Sequence, residues 1–316
     1  TNLSRDHLDY HKSFKNYFDS KMILFKKLMK KKSIVIFDSN SKYGSKIKKI
    51  VKKNHSKCLI IGEKGSNLKL IKQISFKDKQ KVFFEYKKKI FSFETSLIGK
   101  IQIKNLLMAI IAASKYVRIN KILKSIHKIK EVKGRMENIG KLNNNSKVIL
   151  DYAHTPDALR VCLQNLKNHY KLSNISIVFG CGGDRDKPKR KMMGEVASNF
   201  CNRIYLTDDN PRNEKPFKIR NEIKKKINKS KLFEISSREK AIKQAILNLN
   251  SGDVLLVAGK GHENYQEYRK KILFSDRECI LKYINEKNKS ISNDWKINVI
   301  NESLENFKIS NSKKIN

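Results

Sequence analysis

The sequence predicts an α/β protein whose second half is a doubly wound, mostly parallel sheet, and three observations carry that prediction. The run Ile175 to Phe179 is apolar and β-rich and stops at Gly180, Gly182 and Gly183. A buried parallel strand does this when it enters a tight turn at the carboxyl edge of a sheet. From Val148 to Val257, strand-like and helix-like segments alternate, the signature of successive βαβ units. The strands Ile204 to Leu206 and Val254 to Val257 also run into charged loops, T-D-D-N-P-R and A-G-K-G-H-E. Those loops fall on the edge where open α/β sheets hold ligands.

Taken in order, the chain opens with a loop and then a helical pattern, in which Tyr17, Met22, Leu24, Phe25 and Leu28 recur at helical spacing. Strands are predicted at Ser33–Phe37 and Cys58–Ile61 with a basic helix between them, and Val82–Tyr86 with Ile90–Phe93 reads as a hairpin or meander. Leu106–Tyr116, following Asn105, is a buried helix, and a shorter one covers about Lys121–Lys128. Val148–Leu150 is a strand, and Asp157–Tyr170 a helix entered through Thr155-Pro156, a cap oxygen followed by a first-turn proline. Further helices are predicted near Ile219–Ile227 and, behind Ser236-Ser237, at Arg238–Leu249. Residues 287–316 turn polar and read as a linker or extension.

Net charge is +40, from 70 Lys+Arg against 30 Asp+Glu. Such a balance suits nucleic acid or an anionic surface. The lysines are spread over the whole length beside an excess of Asn and Ile, residues that an A+T-rich coding sequence over-supplies. Runs such as Lys30–Lys32 and Lys224–Lys226 sit on helical stretches and read as solvated faces. No basic stripe is interleaved with aromatics, so no specific nucleic-acid partner is expected. Cys58, Cys162, Cys181, Cys201 and Cys279 form no C-x-x-C pair, which predicts a reduced, cytoplasmic protein without a zinc site. No apolar run approaches the ~18 residues of a membrane span, so no membrane partner is expected.

The charged loops suggest a chemistry of their own. Arg185 and Arg212 offer guanidinium forks for carboxylates, and Asp209 and Asn210 offer acceptors, a combination suited to a zwitterion. The plainer alternative is a pair of solvated βα loops held by local ion pairs.

Several stretches fall in one order: T-N-L-S-R-D-H-L-D-Y-H at the start, G-R-M-E at 134–137, D-Y-A-H-T-P-D-A-L at 151–159, Gly180–Arg190, Asp208–Arg212, Ala258–Glu263 and F-S-D-R-E at 274–278. In that order they resemble the Mur ligases, over roughly residues 1–285, and ordered motifs are far more specific than a single glycine loop. The resemblance is to those members that add meso-diaminopimelate to UDP-N-acetylmuramoyl-L-alanyl-D-glutamate in peptidoglycan synthesis. It implies ATP and Mg²⁺, an acyl phosphate, and an amine attacking it, in a cytoplasmic and monomeric enzyme. It also implies the latter part of a central ATPase domain at 1–133, then a Rossmann-like, amino-acid-binding C-terminal domain at 134–286, with G-R-M-E marking the hinge.

Carried over position by position, the resemblance assigns His7 and a carbamylated Lys21 to catalysis and the cation. A lysine kept neutral by partial burial adds carbon dioxide and becomes an anionic ligand. Asn105, Arg135, Asp151 and His154 are implied for ATP, although Ile101-Gln102 stands where the family usually has Phe-Asn before x-x-Asn, which moves that amide outward from the adenine contact. Arg185, Asp209, Asn210, Pro211, Arg212, Gly259 and Glu263 are implied for diaminopimelate, Glu263 receiving an ammonium and the two arginines the carboxylates. No G-x-x-x-x-G-K-[S/T] loop occurs, so the chain reads as a carboxyl-terminal portion, inactive in ATP turnover by itself. The tail W-K-I-N-V-I-N-E-S-L-E-N-F-K-I-S-N resembles the first helix of the D-alanyl-D-alanine-adding Mur ligase, as a fused second ligase would. Two readings stay beside the main one: a ligase of this type adding L-lysine, and a non-catalytic basic binding module.

Overall fold

The computed structural model describes residues 8–30, 32–40, 43–53, 57–76 and 78–291. His7 and the tail segment that resembles a second ligase lie outside those residues. The chain divides into two compact units. One takes the residues up to 136 with 154–171 and 185–196, and the other takes 137–153, 172–184 and the residues from 197 onward.

In the first unit, α1 (Leu8–His11) precedes α2 (Phe14–Ile23), whose cap Ser13 accepts the Asn16 N–H through its hydroxyl. The helix passes into a π-helical turn, Leu24–Leu28. A five-stranded sheet follows in the order β1 (Ile34–Asp38), β2 (Lys57–Gly62), β3 (Leu68–Phe76), β4 (Lys79–Tyr86), β5 (Lys89–Thr95). The first three strands are parallel and the last pairs antiparallel. Three helices complete it: α3 (Gly44–Lys53), α4 (Lys100–Ala113) and α5 (Ile119–Ser125). α4 packs Ile103, Leu107, Ile110 and Ile111 with Leu59, Ile61, Leu68, Val82 and Phe84. Ile60, between two of those residues, belongs instead to a separate cluster with Val35, Phe37 and Val51, as the period of two requires.

Two sequence expectations change here. α4 begins six residues earlier than predicted, because Gly99 at φ +91° supplies its cap. β3 had no counterpart in the sequence reading: a bulge between Leu70 and Lys72 breaks the alternation and leaves Ile71, Ile74 and Phe76 exposed.

The second unit holds β6 (Glu137–Lys141), β7 (Lys147–Asp151), β8 (Ile175–Phe179), β9 (Arg203–Leu206), β10 (Leu232–Glu234) and β11 (Val254–Ala258). Their order is β10-β9-β8-β11-β7-β6, parallel throughout except at β6–β7. α6 (Pro156–His169) lies between β7 and β8 in sequence and α7 (Pro188–Phe200) between β8 and β9. The expected cap of α6 is present, Thr155 Oγ1 accepting the Ala158 N–H. α8 (Pro216–Lys224) and α9 (Arg238–Leu247) follow, then a small hairpin, β12 (Tyr265–Tyr268) and β13 (Lys270–Leu273), and α10 over residues 276–291. The chain moves outward from β8 to β9 and β10, then returns to insert β11 beside β8. That reversal makes a topological switch point between the carboxyl ends of β8 and β11.

β8 and β11 are buried along their whole length, which explains their unbroken apolar runs. Val148, Leu150, Leu255 and Val257 pack with Ala241, Ile242 and Ile246 of α9 and Ile280, Tyr283 and Ile284 of α10. The helix α10 runs through residue 287, where a polar extension was expected to begin. Lys287 is buried, its ammonium donating to the carbonyls of Ile246, Leu247 and Leu249, so its polarity marks a helix cap rather than a linker.

Candidate functional site

At the carboxyl edge of the second sheet, the loop after β9 is shaped by close backbone approach. A Cβ on Gly183 would lie 1.9 Å from the Pro211 carbonyl oxygen, so only glycine lets the two loops touch. The Gly183 N–H donates to the Asn210 carbonyl at 2.9 Å. Asp208 at the head of the loop is structural. It pairs with Arg220 and accepts the Tyr268 hydroxyl at 3.0 Å, and burial together with this carboxylate pushes the Tyr268 phenol well up.

Asn210, Lys260 and Glu263 form the centre of the cluster. Lys260, fully buried, donates to Asn210 Oδ1 and to Glu263 Oε2, both at 3.0 Å. Asn210 Oδ1 also accepts the Glu267 N–H at 3.1 Å, while Nδ2 donates to Glu263 Oε2 at 3.1 Å. The Tyr152 hydroxyl donates to Glu263 Oε1 at 3.4 Å. The expectation that Asn210 offers an acceptor is therefore corrected: its oxygen is taken by two protein donors, and it presents N–H.

Arg212, at φ +53°, is woven into the β12 hairpin by its backbone, the N–H donating to the Glu267 carbonyl and the carbonyl accepting the Arg269 N–H. Its Nε lies 3.1 Å from Glu267 Oε2, and its Nη1 donates to the Gly183 carbonyl at 2.8 Å. The fork predicted for a carboxylate is already partly used, through Nε and Nη1. Pro211 is buried beneath this turn.

Asp209 is held from behind. Its Oδ1 accepts the Asn210 N–H at 2.8 Å, and its Oδ2 lies 3.8 Å from Arg238 Nη1. Arg238 is 1% exposed and makes a bidentate pair with Asp276, both bonds 2.7 Å, besides donating to the Ala258 carbonyl. Burial opposes the guanidinium charge, and Asp276 outweighs it, holding Arg238 above its ordinary range. A Cβ on Gly259, itself at φ +114°, would lie 2.7 Å from Asp209 Oδ2. Asp276 is the aspartate of the F-S-D-R-E run; its partner Arg238 carried no signal beyond a helix start.

Of the other expected residues, Arg185 is exposed and belongs to the first unit. Asn105 is exposed on α4, whose first turns are tied down by the pairs Lys100–Glu63 and Lys104–Asp38. Gln102 donates to the Arg135 carbonyl at 2.9 Å, so its amide holds the arginine segment. The His154 carbonyl accepts from Lys189 at 3.1 Å, and the Asp151 carboxylate, in the second unit, accepts the Ala153 N–H at 2.7 Å. Lys21 departs from expectation. It is exposed, its ammonium 5.4 Å from the Tyr17 ring centroid, and so lacks the burial expected to keep it neutral. Among the described residues there is no group of three or more His, Cys, Asp or Glu that could hold a metal ion. All five cysteines are free thiols. Among the described residues no helix is long and apolar enough to cross a membrane.

Lys260, Tyr152 and Glu267 were not among the expected site residues. Lys260 and Tyr152 lie inside motifs that were recognised. Glu267 had no sequence signal, since its role comes from the hairpin's contact with Arg212.

Two family models match: the Mur ligase middle domain over residues 1–113 and the Mur ligase glutamate ligase domain over residues 134–261. The chain is 41% identical to the UDP-N-acetylmuramoyl-L-alanyl-D-glutamate–2,6-diaminopimelate ligase of Rickettsia typhi, over 90% of this chain and 57% of that protein. It is 42% identical to the ligase of the same name from Rickettsia bellii, over 88% of this chain and 58% of that protein. Among solved structures it resembles a UDP-N-acetylmuramoyl-L-alanyl-D-glutamate–2,6-diaminopimelate ligase with a TM-score of 0.61 and 31% identity, over 90% of this chain and 59% of that one. The MurF ligase of Thermotoga maritima, solved in complex with ADP, matches with a TM-score of 0.66 at 16% identity, over 92% of this chain and 61% of that one; it attests the fold. The chain thus spans somewhat under three fifths of the length of these curated relatives.

Proposed function

The chain belongs to the Mur ligase family, and from that premise we propose that it is the part of a ligase that selects and presents meso-diaminopimelate for joining to UDP-N-acetylmuramoyl-L-alanyl-D-glutamate. The observation that carries the reading is the cluster at the sheet's carboxyl edge, where donors and carboxylates stand side by side in the second unit. Glu263 and Asp209 suit ammonium groups; Asn210 Nδ2 and Arg212 Nη2 suit a carboxylate. An amino acid with a carboxylate and an ammonium at its far end matches that alternation.

In such a ligation the γ-phosphoryl group of ATP passes to the dipeptide carboxylate. The amine then displaces phosphate, losing a proton as the amide forms. Within this scheme the cluster binds and orients the amino acid, so that its reacting amine is held in line and its distal end is recognised. Mg²⁺ is implied by the family. The setting we propose is a cytoplasmic, monomeric enzyme.

The test is calorimetric titration of the 316-residue chain with meso-diaminopimelate and with L-lysine, before and after Arg212→Ala. The unmutated chain is expected to prefer diaminopimelate, since lysine leaves buried donors without a partner, at a cost of about 2–5 kcal/mol or one and a half to three and a half decades. Arg212→Ala should remove most of that preference. Equal affinities in the unmutated chain would turn the assignment toward a lysine-adding ligase.

A further inference from the structure

Lys260 carries a full side-chain burial that the amino-acid pocket does not obviously need. We infer that Lys260 is a positioning residue that sets the polarity of the pocket, fixing Asn210 as a hydrogen-bond donor and thereby making the pocket select a carboxylate beside an ammonium. This rests on the amino-acid-ligase reading above.

The inference follows from counting donors and acceptors. A lysine ammonium has three protons and no lone pair, and a backbone N–H is likewise donor-only. Both reach Asn210 Oδ1, Lys260 Nζ at 3.0 Å and the Glu267 N–H at 3.1 Å. Only the carboxamide oxygen satisfies two donors, so the side chain cannot be turned over. Its Nδ2 must then face Glu263, where it donates one proton at 3.1 Å and keeps a second for a ligand. Lys260 acts on Glu263 as well. With Asn210 it saturates Oε2, leaving Oε1, near the Tyr152 hydroxyl at 3.4 Å, as the carboxylate's open side. The pocket thus offers a donor at Asn210 and an acceptor at Glu263.

Burial makes the arrangement one-way. A 0% exposed ammonium is tolerated only with its compensating carboxylate in contact, so Lys260 holds Glu263 in place as much as Glu263 holds Lys260. Without the lysine, Oδ1 keeps only the Glu267 N–H and Glu263 loses its buried counter-charge, so the Asn210 carboxamide keeps its orientation but is held less firmly, and discrimination between a distal carboxylate and its absence weakens.

The experiment uses the whole chain with Lys260→Met, which keeps the volume and removes the donors, and Lys260→Gln, which restores one N–H without charge. Two readouts are taken on each. The first, free of any ligand, is the Asn210 side-chain amide signal in nitrogen-15-labelled protein. It should be ordered in the unmutated chain, mobile in Lys260→Met and ordered again in Lys260→Gln. The second is calorimetric affinity for meso-diaminopimelate and L-lysine. Lys260→Met should weaken diaminopimelate about tenfold or more, the scale of one lost charge-assisted contact, and leave lysine within about threefold. An Asn210 amide signal unchanged in Lys260→Met, or an unchanged ratio of the two affinities, overturns the inference. If the unmutated chain binds neither amino acid, the ligase reading fails, while the amide signal still decides the role of Lys260. If Lys260→Met does not fold, Lys260→Gln decides: a mobile Asn210 amide in that folded variant also overturns the inference.

Discussion

At the scale of single residues, the site depends on atoms that are absent as much as on those present. Gly259 sits at φ +114°, and a Cβ there would press within 2.7 Å of Asp209 Oδ2. Gly259→Ala is therefore expected to cost about 1–3 kcal/mol in backbone strain alone. It should also push the Asp209 carboxylate out of line and weaken diaminopimelate binding. Urea unfolding and calorimetry on the same variant check both effects, and a variant with unchanged midpoint and affinity would show that the loop yields freely. Behind it, the Arg238–Asp276 pair is buried at both ends, with side chains 0% exposed. Breaking such a pair strands a charge, whereas replacing both partners by apolar residues is often neutral, so its service is positional, holding Arg238 against the Ala258 carbonyl and beside Asp209.

At the scale of elements, the position of α10 is secured by its own polar end. Lys287 brings its ammonium to three carbonyls at the carboxyl terminus of α9 and the turn beyond, the negative end of the helix dipole. Lys287→Met is expected to lower stability by about 1–3 kcal/mol, because buried carbonyls lose their donor while the methionine still fills the space. The denaturant midpoint measures it. A loss no larger than that of an exposed lysine such as Lys289 would show that water replaces the ammonium. The β12–β13 hairpin works in a similar way on the other side of the sheet edge. Its backbone brackets Arg212, and Gln266 donates to the carbonyls of Asp208 and Asp209, so the Asp208–Arg212 loop is built against a strand rather than left free.

At the scale of the whole molecule, the charge of +40 makes every remaining carboxylate matter as pH falls. Glu234 shows the direction. Burial pushes its carboxyl up, but Lys224 at 2.9 Å and Arg220 at 3.0 Å outweigh that and hold it below the ordinary value of 4.5. A carboxyl lowered in the folded state binds fewer protons there than when unfolded. Its stabilisation is therefore complete above pH 4.5 and is lost as pH falls through the folded value. Glu234→Gln should flatten that part of the acid limb, by no more than about 1 kcal/mol because the pair is partly exposed. Urea midpoints between about pH 6 and pH 3 for the two proteins test it; parallel curves would mean that other carboxylates set the slope.

The alternation of strand, glycine turn and helix was legible in the chain because each depends on neighbours a few residues away. Burial of β8 and β11 leaves unbroken apolar runs, Thr155-Pro156 opens α6, and the ordered motifs identify the family. The strand β3 escaped because its bulge spoils the period of two, and residue 287 read as the start of a polar linker or extension because a helix cap and a linker use the same residue type. The site followed the same division. Residues such as Asp209, Asn210, Arg212 and Glu263 could be picked out from their loops, but how they are used could not. Asn210 and Lys260 are fifty positions apart in sequence, and Arg238 and Asp276 thirty-eight. A hydrogen bond between such residues exists only once separate loops have packed to within 3 Å, so only the tertiary structure decides that Asn210 is a donor, that Arg212 shares its fork with Glu267, and that a buried lysine joins Asn210 to Glu263.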